Sequence, residues 1–287
     1  MKKKLAYKFF NKKINVKSYS KLYKKIEFSS SYPANQARLK IFISLLKKIK
    51  PKKIVDAGCG AVLPLIAIKK LGFNIIGYDK SKEMVLEAKK NLKNFNLDPK
   101  LIFEDNFEKP KKIEKNSVDC ILGMGAFYYS KNINKTLIEQ SKKLKKNGRL
   151  IFSLRNKLFN IATMNDYSKS FFSQLYSVDK KNSKIKKSFN KFFTGYITRK
   201  KFKLKNIDDY KVFSTSHNPL NVQKDLLDKI NFSLKNLYFY HFHYLPPVYE
   251  NFEPQKFRRE SWKIENPLDT KGYFLASGFI VDSIKRG

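Results

Sequence analysis

The sequence contains little cysteine and no long hydrophobic run. Only two cysteines, Cys59 and Cys120, occur in 287 residues. Two are too few for a disulfide framework or a cysteine-based zinc site, and their scarcity favours a reducing, cytoplasmic compartment. No apolar run reaches the roughly 18 residues of a transmembrane helix. The basic start of the chain also lacks the apolar stretch that a signal peptide requires.

Arginine is scarce as well, although the chain is strongly basic. The formal net charge is +37, yet only seven of the 61 basic residues are arginines. Phosphate-binding sites favour the planar fork of arginine. The excess of lysine over arginine therefore favours the interpretation that most of these side chains are solvated and that their number reflects the base composition of the genome. A phosphate-binding surface is less favoured. A nucleic acid or an anionic membrane surface remains the alternative explanation of the charge.

The hydrophobic pattern divides the chain into four regions. Residues 1–50 form an N-terminal helical segment, and residues 51–156 alternate short apolar runs with helical patterns. The five predicted strands of this region span 53–57, 74–78, 101–103, 118–123 and 150–154. Five such alternations predict a Rossmann-like, doubly wound, mostly parallel α/β sheet. Residues 157–219 lose the alternation, which predicts a helical lid insertion.

Regular structure returns in residues 220–287, the C-terminal part of the core sheet. A helix is predicted over 220–230, and strands are predicted over 233–243 and 272–282. No crossover helix rich in apolar residues separates these two strands. We therefore expect an antiparallel pair that closes one edge of the sheet, with an antiparallel last strand.

A glycine turn follows the first predicted strand. Gly58 and Gly60 permit a tight turn and a close approach of the backbone to a ligand, and the next helix directs its positive N-terminus at that ligand. Asp79 lies 21 residues after Gly58, at the tip of the second strand, where an acidic side chain can accept both ribose hydroxyls. This spacing predicts a nucleoside site. A dinucleotide fingerprint would need glycine where Leu63 stands.

The motifs resemble those of the class I S-adenosylmethionine-dependent methyltransferases. Asp56–Gly60 (DAGCG) is similar to the first motif of that family, and Ser117–Gly123 (SVDCILG) to its fourth-strand motif. Gly148–Phe152 (GRLIF) resembles its turn and fifth strand. The resemblance covers residues 51–156 and the last strand pair. A third glycine often ends the first motif, but Val62 stands there, which is expected to weaken or reshape the pocket.

The resemblance implies S-adenosylmethionine as the cofactor. Gly58 and Gly60 are expected beside its methionine part, Asp79 and Lys80 near its ribose, and Asp105 at its adenine amine. The full set of cofactor-binding residues that it implies is Asp56, Gly58, Cys59, Gly60, Asp79, Lys80, Asp105, Asn106 and Gly123.

Histidine is the natural base for methyl transfer to an oxygen acceptor, since its pKa lies near neutrality. The chain has three histidines, His217, His241 and His243, all late in the sequence. In a strand, His241 and His243 would point to one face. They are predicted to act as a base or to contact substrate, with ordinary hydrogen-bonded residues as the alternative. No third ligand of matching spacing accompanies them, so no metal site is predicted.

Signatures of nucleic-acid methylation are missing. The chain has neither an N-P-P-Y or D-P-P-Y tetrad nor a Pro-Cys nucleophile, and no appended RNA-binding module is evident. The lid-like insertion suits the enclosure of a small acceptor. The sequence therefore predicts a methyltransferase acting on a small molecule, such as a sugar or other glycan precursor. An RNA methyltransferase and a non-catalytic cofactor-binding member of the family are the alternatives.

Overall fold

The fold is an α/β sheet with helices on both faces. The structure is a computed structural model that describes residues 5–12, 15, 16, 28, 31–196 and 212–287. Its strands are β1 (Ile54–Ala57), β2 (Ile75–Asp79), β3 (Ile102–Glu104), β4 (Val118–Gly123), β5 (Leu144–Asn156), β6 (Ser216–His217), β7 (Phe232–Phe242) and β8 (Ala276–Lys285). The strand order is β3-β2-β1-β4-β5-β8-β7, and β6 pairs with β5.

The described helices are α1 (Ala6–Phe10), α2 (Ala34–Ile49), α3 (Leu63–Lys70), α4 (Lys82–Asn94), α5 (Ile133–Ser141), α6 (Asp166–Leu175), α7 (Ser183–Tyr196), α8 (Pro254–Lys263) and α9 (Gly272–Leu275). Local sequence signals explain several of their ends. Ser81 caps α4, because its hydroxyl oxygen accepts a hydrogen bond from the Met84 amide at 3.2 Å. Helix α2 is followed by Lys50, which has a left-handed backbone conformation, and then by Pro51.

The predicted doubly wound sheet is confirmed. Strands β1 to β6 are parallel, and β8 is antiparallel to both β5 and β7. The predicted antiparallel pair at one edge is therefore also confirmed, with β8 inside and β7 outermost. Because β8 reverses direction, β7 runs parallel to β5 and ends at the same edge of the sheet. The strand order reverses between β1 and β4, which is where sheets of this kind bind ligands.

Two predictions for the C-terminal part are wrong in detail. The strand expected over 272–282 begins only at Ala276, because Gly272–Leu275 forms one helical turn. Residues 219–230 are helical but do not form a regular α-helix. They consist of two 3₁₀ turns, Pro219–Asn221 and Asp228–Ile230, around a π-helical turn at Gln223–Leu227.

Two hydrophobic clusters cover the two faces of the sheet. One contains Phe42, Leu46, Leu65 and Leu92 and places α2, α3 and α4 on the same face. The other contains residues of α5 and of the 219–230 turns, which lie on the opposite face. Among the described residues, no helix has the length and apolar character needed to cross a membrane.

A buried ion pair joins the parallel part of the sheet to the antiparallel part. Arg149 on β5 donates from Nε to the Asp282 carboxylate on β8 at 3.1 Å, and its Nη2 reaches both carboxylate oxygens. Asp282 is 3% exposed. Removing one partner of such a pair leaves an uncompensated charge inside the protein.

We predict that Asp282→Ala lowers the free energy of unfolding by about 3–5 kcal/mol, because the Arg149 guanidinium loses its buried partner. Urea unfolding measures the change. The matched control is Glu260→Ala, which removes an exposed pair with Lys263 and should cost about 1 kcal/mol or less. Equal losses in the two variants would contradict the importance of the β5–β8 pair.

Candidate active site

The turn after β1 is held in place by hydrogen bonds to the end of β2. Gly58 and Gly60 have φ angles of +80° and +55°. The amides of Gly58 and Cys59 donate to the Tyr78 carbonyl at 2.8 and 3.0 Å, and the Gly60 amide donates to Asp79 Oδ2 at 2.9 Å. The glycine turn and the tip of β2 therefore form one unit at the carboxyl edge of the sheet.

A second loop packs against this turn. A β-carbon on Gly58 would lie 2.5 Å from the Ala126 β-carbon, and one on Gly125 would lie 2.5 Å from Nη1 of Arg38. Real β-carbons do not approach other atoms so closely. The absence of side chains at Gly58 and Gly125 thus allows the loops after β1 and β4 and the start of α2 to meet.

Asp56, at the penultimate position of β1, is the most unusual polar group of the site. It is 1% exposed, and its Oδ1 has no hydrogen-bond partner among the described residues. Burial, together with the nearby Asp79 carboxylate, raises the pKa of Asp56 to about 8, although Arg38 opposes the rise. An unpartnered buried carboxylate is costly, and a cationic group would pair with it.

Val62 adopts the backbone conformation that its place in the motif requires, although it is not glycine. It caps α3 with φ 70° and ψ 0° and is fully buried. The left-handed region is strained for a β-branched residue. The turn therefore keeps its left-handed backbone at Val62, and burial of the isopropyl group opposes the strain.

The tip of β2 contacts the N-terminal helix. Asp79 Oδ1 accepts a hydrogen bond from the Ser81 amide at 2.8 Å, while the Ser81 hydroxyl donates to the Phe10 carbonyl at 3.0 Å. Nζ of Lys80 lies 4.4 Å from the centre of the Tyr7 ring. Helix α1 thus borders the position expected for a ribose. Weak helical periodicity in residues 1–30 was the only sign of this contact in the sequence.

Asp105 and Asn106 organise the loop after β3. The Asp105 carboxylate accepts hydrogen bonds from the amides of Asn106, Lys111 and Lys112 at 2.8–2.9 Å. The side-chain oxygen of Asn106 accepts one from the Glu108 amide at 3.0 Å. Both side chains therefore shape the loop beside Asp79, whose carbonyl also accepts a hydrogen bond from the Asp105 amide at 3.1 Å.

Gly123 and the two cysteines lie at closely packed positions. A β-carbon on Gly123 would lie 3.0 Å from the rings of Phe127 and from the Phe152 β-carbon. Both thiols are free and buried, and burial raises the pKa of Cys59 and of Cys120. The thiols are thus uncharged small side chains of the core, and only the backbone of Cys59 belongs to the turn.

The structure brings two of the three histidines together. The ring centres of His241 and His243 are 4.5 Å apart. His241 has a φ angle of +62°, stacks on Tyr32 at 4.4 Å and shares a 2.7 Å hydrogen bond with the Ser277 hydroxyl. His217 lies on β6, where its Nε2 is 3.0 Å from the Thr215 hydroxyl.

Burial lowers the pKa of all three histidines. Burial lowers the pKa of His217 and of His243 to about 4, and burial together with the neighbouring His243 lowers the pKa of His241 well below its ordinary value. The imidazoles are therefore neutral at pH 7 but weakly basic. Among the described side chains, no group of three or more histidine, cysteine or acidic residues is arranged to hold a metal ion.

Arg38 is a site residue that sequence reasoning missed. It is 5% exposed, donates to the Asn35 side chain at 2.9 Å and lies 5.9 Å from the centre of the Tyr240 ring. It also interacts electrostatically with Asp56. The only signal for Arg38 in the sequence was the residue type. Arginine is expected instead of lysine, even in a lysine-rich chain, where a buried position needs a planar charged group.

A model of the methyltransferase domain family matches residues 49–192, which is half of the chain. The chain belongs to this family. The expected resemblance to S-adenosylmethionine-dependent methyltransferases is thereby confirmed, and the matched region contains β1 to β5, the glycine turn and helices α3 to α6.

Individual relatives of this methyltransferase-family chain match less of it. An uncharacterised protein of Haemophilus influenzae is 32% identical over 119 residues, and the ubiquinone biosynthesis O-methyltransferase of Pelagibacter ubique is 32% identical over 112 residues. Each match covers 39% of this chain and 45% of the relative. The chain therefore spans less than half the length of these curated relatives.

A solved methyltransferase has the same fold over nearly the whole length. Magnesium protoporphyrin IX methyltransferase from Synechocystis PCC 6803, solved with bound SAH, superposes with a TM-score of 0.57. The match covers 97% of this chain and 96% of that one, at 10% sequence identity. The likeness thus extends the shared fold beyond the region that the family model matches.

Substitution of Gly58 in the glycine turn tests whether the close packing of the loops after β1 and β4 stabilises the fold. We predict that Gly58→Ala lowers the free energy of unfolding by about 1–3 kcal/mol more than Gly72→Ala does. Both glycines have positive φ angles, so both variants are strained, but a β-carbon on Gly72 meets nothing within 4 Å. Chemical denaturation of the two variants measures the difference. Equal stabilities would show that the loops do not need this close approach.

Proposed function

We propose that the protein transfers a methyl group from S-adenosylmethionine to a small-molecule acceptor. The observation that carries this proposal is the buried Asp56 Oδ1, which has no hydrogen-bond partner among the described residues and lies two residues before the glycine turn. A carboxylate in this position suits the cationic ammonium of the cofactor's methionine part. The residues present therefore fit the cofactor.

The remaining cofactor contacts are proposed at the carboxyl edge of the sheet. Asp79 would accept the ribose hydroxyls, because each of its oxygens is engaged by one backbone amide and retains a lone pair. Gly58 and Gly60 would border the methionine part, with Lys80 near the ribose and the Asp105–Asn106 loop near the adenine. When bound, S-adenosylmethionine supplies an electrophilic methyl group.

The acceptor side is proposed at the ends of β4, β5 and β7. The described parts of the lid insertion, residues 157–196 and 212–219, are proposed to cover it, since β6 returns to the sheet and the Thr215 amide donates to the Tyr128 carbonyl at 2.8 Å. Residues 197–211 of the predicted lid lie outside the described residues. The protein would position the acceptor and exclude water there. His217, His241 and His243 remain proposed acceptor-side residues, as neutral hydrogen-bonding groups rather than strong bases.

The direct test of this function is transfer of a labelled methyl group by the purified protein. Labelled S-adenosylmethionine is incubated with a metabolite extract and, separately, with total RNA. The proposal expects label in a small molecule, and Asp56→Asn should abolish or greatly reduce it. Asp119→Asn is the matched control, because Asp119 lies at the opposite end of β4 and is paired with Lys145. Label in RNA alone, or in neither pool, would overturn the small-molecule proposal.

The raised pKa of Asp56 predicts pH-dependent cofactor binding. A cation bound beside Asp56 requires the carboxylate form, so binding at pH 7 should release a proton from most of the molecules. Affinity should rise about tenfold between pH 6 and pH 7 and approach its maximum near pH 8, where the ligand's own ammonium begins to lose its charge. Calorimetric titration in buffers of different ionisation enthalpy measures both quantities.

Asp56→Asn should bind the cofactor more weakly and should lose this pH dependence, whereas Asp119→Asn should keep it.

The same pKa shift of Asp56 affects folding. Since the native pKa lies above the 3.8 of an exposed aspartate, the folded protein holds a proton between about pH 4 and pH 8 that the unfolded chain has lost, and Asp56 lowers stability as pH rises through that range. Affinity that is constant from pH 6 to pH 8 would contradict the assignment.

A further inference from the structure

Arg155 differs from three other arginines of the described residues in having no carboxylate partner. Arg149, Arg258 and Arg286 each form an ion pair with a carboxylate. Among the described residues, no carboxylate forms an ion pair with Arg155, and its neighbours are tyrosines. An arginine surrounded by neutral groups retains its charge, so it is available to an anion from solution.

The strand register places Arg155 at the acceptor side. Arg155 on β5 and Tyr240 on β7 are both paired with Gly278 on β8, so the three residues form one row across the sheet. A β-carbon on Gly278 would lie 2.5 Å from the Tyr240 ring. The Tyr240 ring therefore packs on the glycine, in the space that a side chain would fill, within the row that also contains Arg155.

Tyrosines from the loop after β4 also lie beside Arg155. The Arg155 guanidinium carbon lies 5.2 Å from the centre of the Tyr128 ring, and the Tyr128 and Tyr129 ring centres are 4.5 Å apart. Arg155 itself is exposed to solvent. The Arg38 guanidinium adds a second positive charge at 5.9 Å from the centre of the Tyr240 ring.

We propose that Arg155 binds a carboxylate of the methyl acceptor, with the acceptor's planar part against the tyrosine rings. A guanidinium matches a carboxylate through two parallel hydrogen bonds, and aromatic rings offer flat surfaces for a planar group. The inference rests on the proposed methyltransferase function and names the chemical class of its acceptor.

Benzoate and its neutral analogue benzamide are the probes for this site. Their binding to the full-length protein, saturated with S-adenosylhomocysteine, is measured by ligand-observed NMR. We expect benzoate to bind about tenfold more tightly than benzamide, since only the carboxylate pairs with Arg155. In Arg155→Gln the two affinities should become equal within about twofold, and Arg155→Lys should be intermediate because it keeps the charge but loses the fork.

Arg286→Gln is the matched control, because it removes an exposed arginine that pairs with Asp228; it should retain the preference for benzoate. Equal binding of benzoate and benzamide to the unaltered protein, or an unchanged preference in Arg155→Gln, would overturn the proposal. If Arg155→Gln fails to fold, Arg155→Lys decides by the same comparison. Titration with S-adenosylhomocysteine alone separates the two proposals, since loss of that binding contradicts the methyltransferase function and not the anion site.

Discussion

The buried carboxylate of Asp56 constrains the rest of the site. Its desolvation favours the protonated form, and the nearby Asp79 adds to this effect, so the group ionises near pH 8 rather than near pH 4. A buried acid without a partner lowers the stability of a fold. A cation bound beside the glycine turn would pair with the Asp56 carboxylate and offset this loss of stability. Affinity for a cationic ligand and reduced stability without that ligand are thus two consequences of one side chain.

Arg38 connects this carboxylate to the acceptor side. It extends from the first turns of α2, packs on Gly125 and lies beside Tyr240, while its charge partly offsets the rise in the pKa of Asp56. The close approach depends on Gly125, just as the meeting of the two loops depends on Gly58. The methyl donor and the acceptor are therefore expected on either side of one tightly packed junction of β1, β4 and α2.

The sequence predicted the elements best where local pattern decides them. The strand predicted over 118–123 has the same bounds in the structure, and the spacing from Gly58 to Asp79 located a glycine turn and a strand tip that are joined by the hydrogen bond from the Gly60 amide to Asp79 Oδ2. Strand β5 was expected over 150–154 but extends from Leu144 to Asn156, because Val118 on β4 pairs with Leu144 and because β8 and β6 pair with the residues at its other end. The roles of Arg38 and Arg155 depend on contacts with β7, the loop after β4 and the insertion, which no local pattern encodes.

A crystal structure with S-adenosylhomocysteine would test the central claim most directly. The account predicts the ligand at the carboxyl edge between β1 and β4, with its ammonium paired with Asp56 Oδ1 and its ribose hydroxyls on Asp79. Both groups should lie at hydrogen-bond distance from these carboxylates. A ligand bound elsewhere, or an Asp56 carboxylate that still has no partner in the complex, would contradict the account.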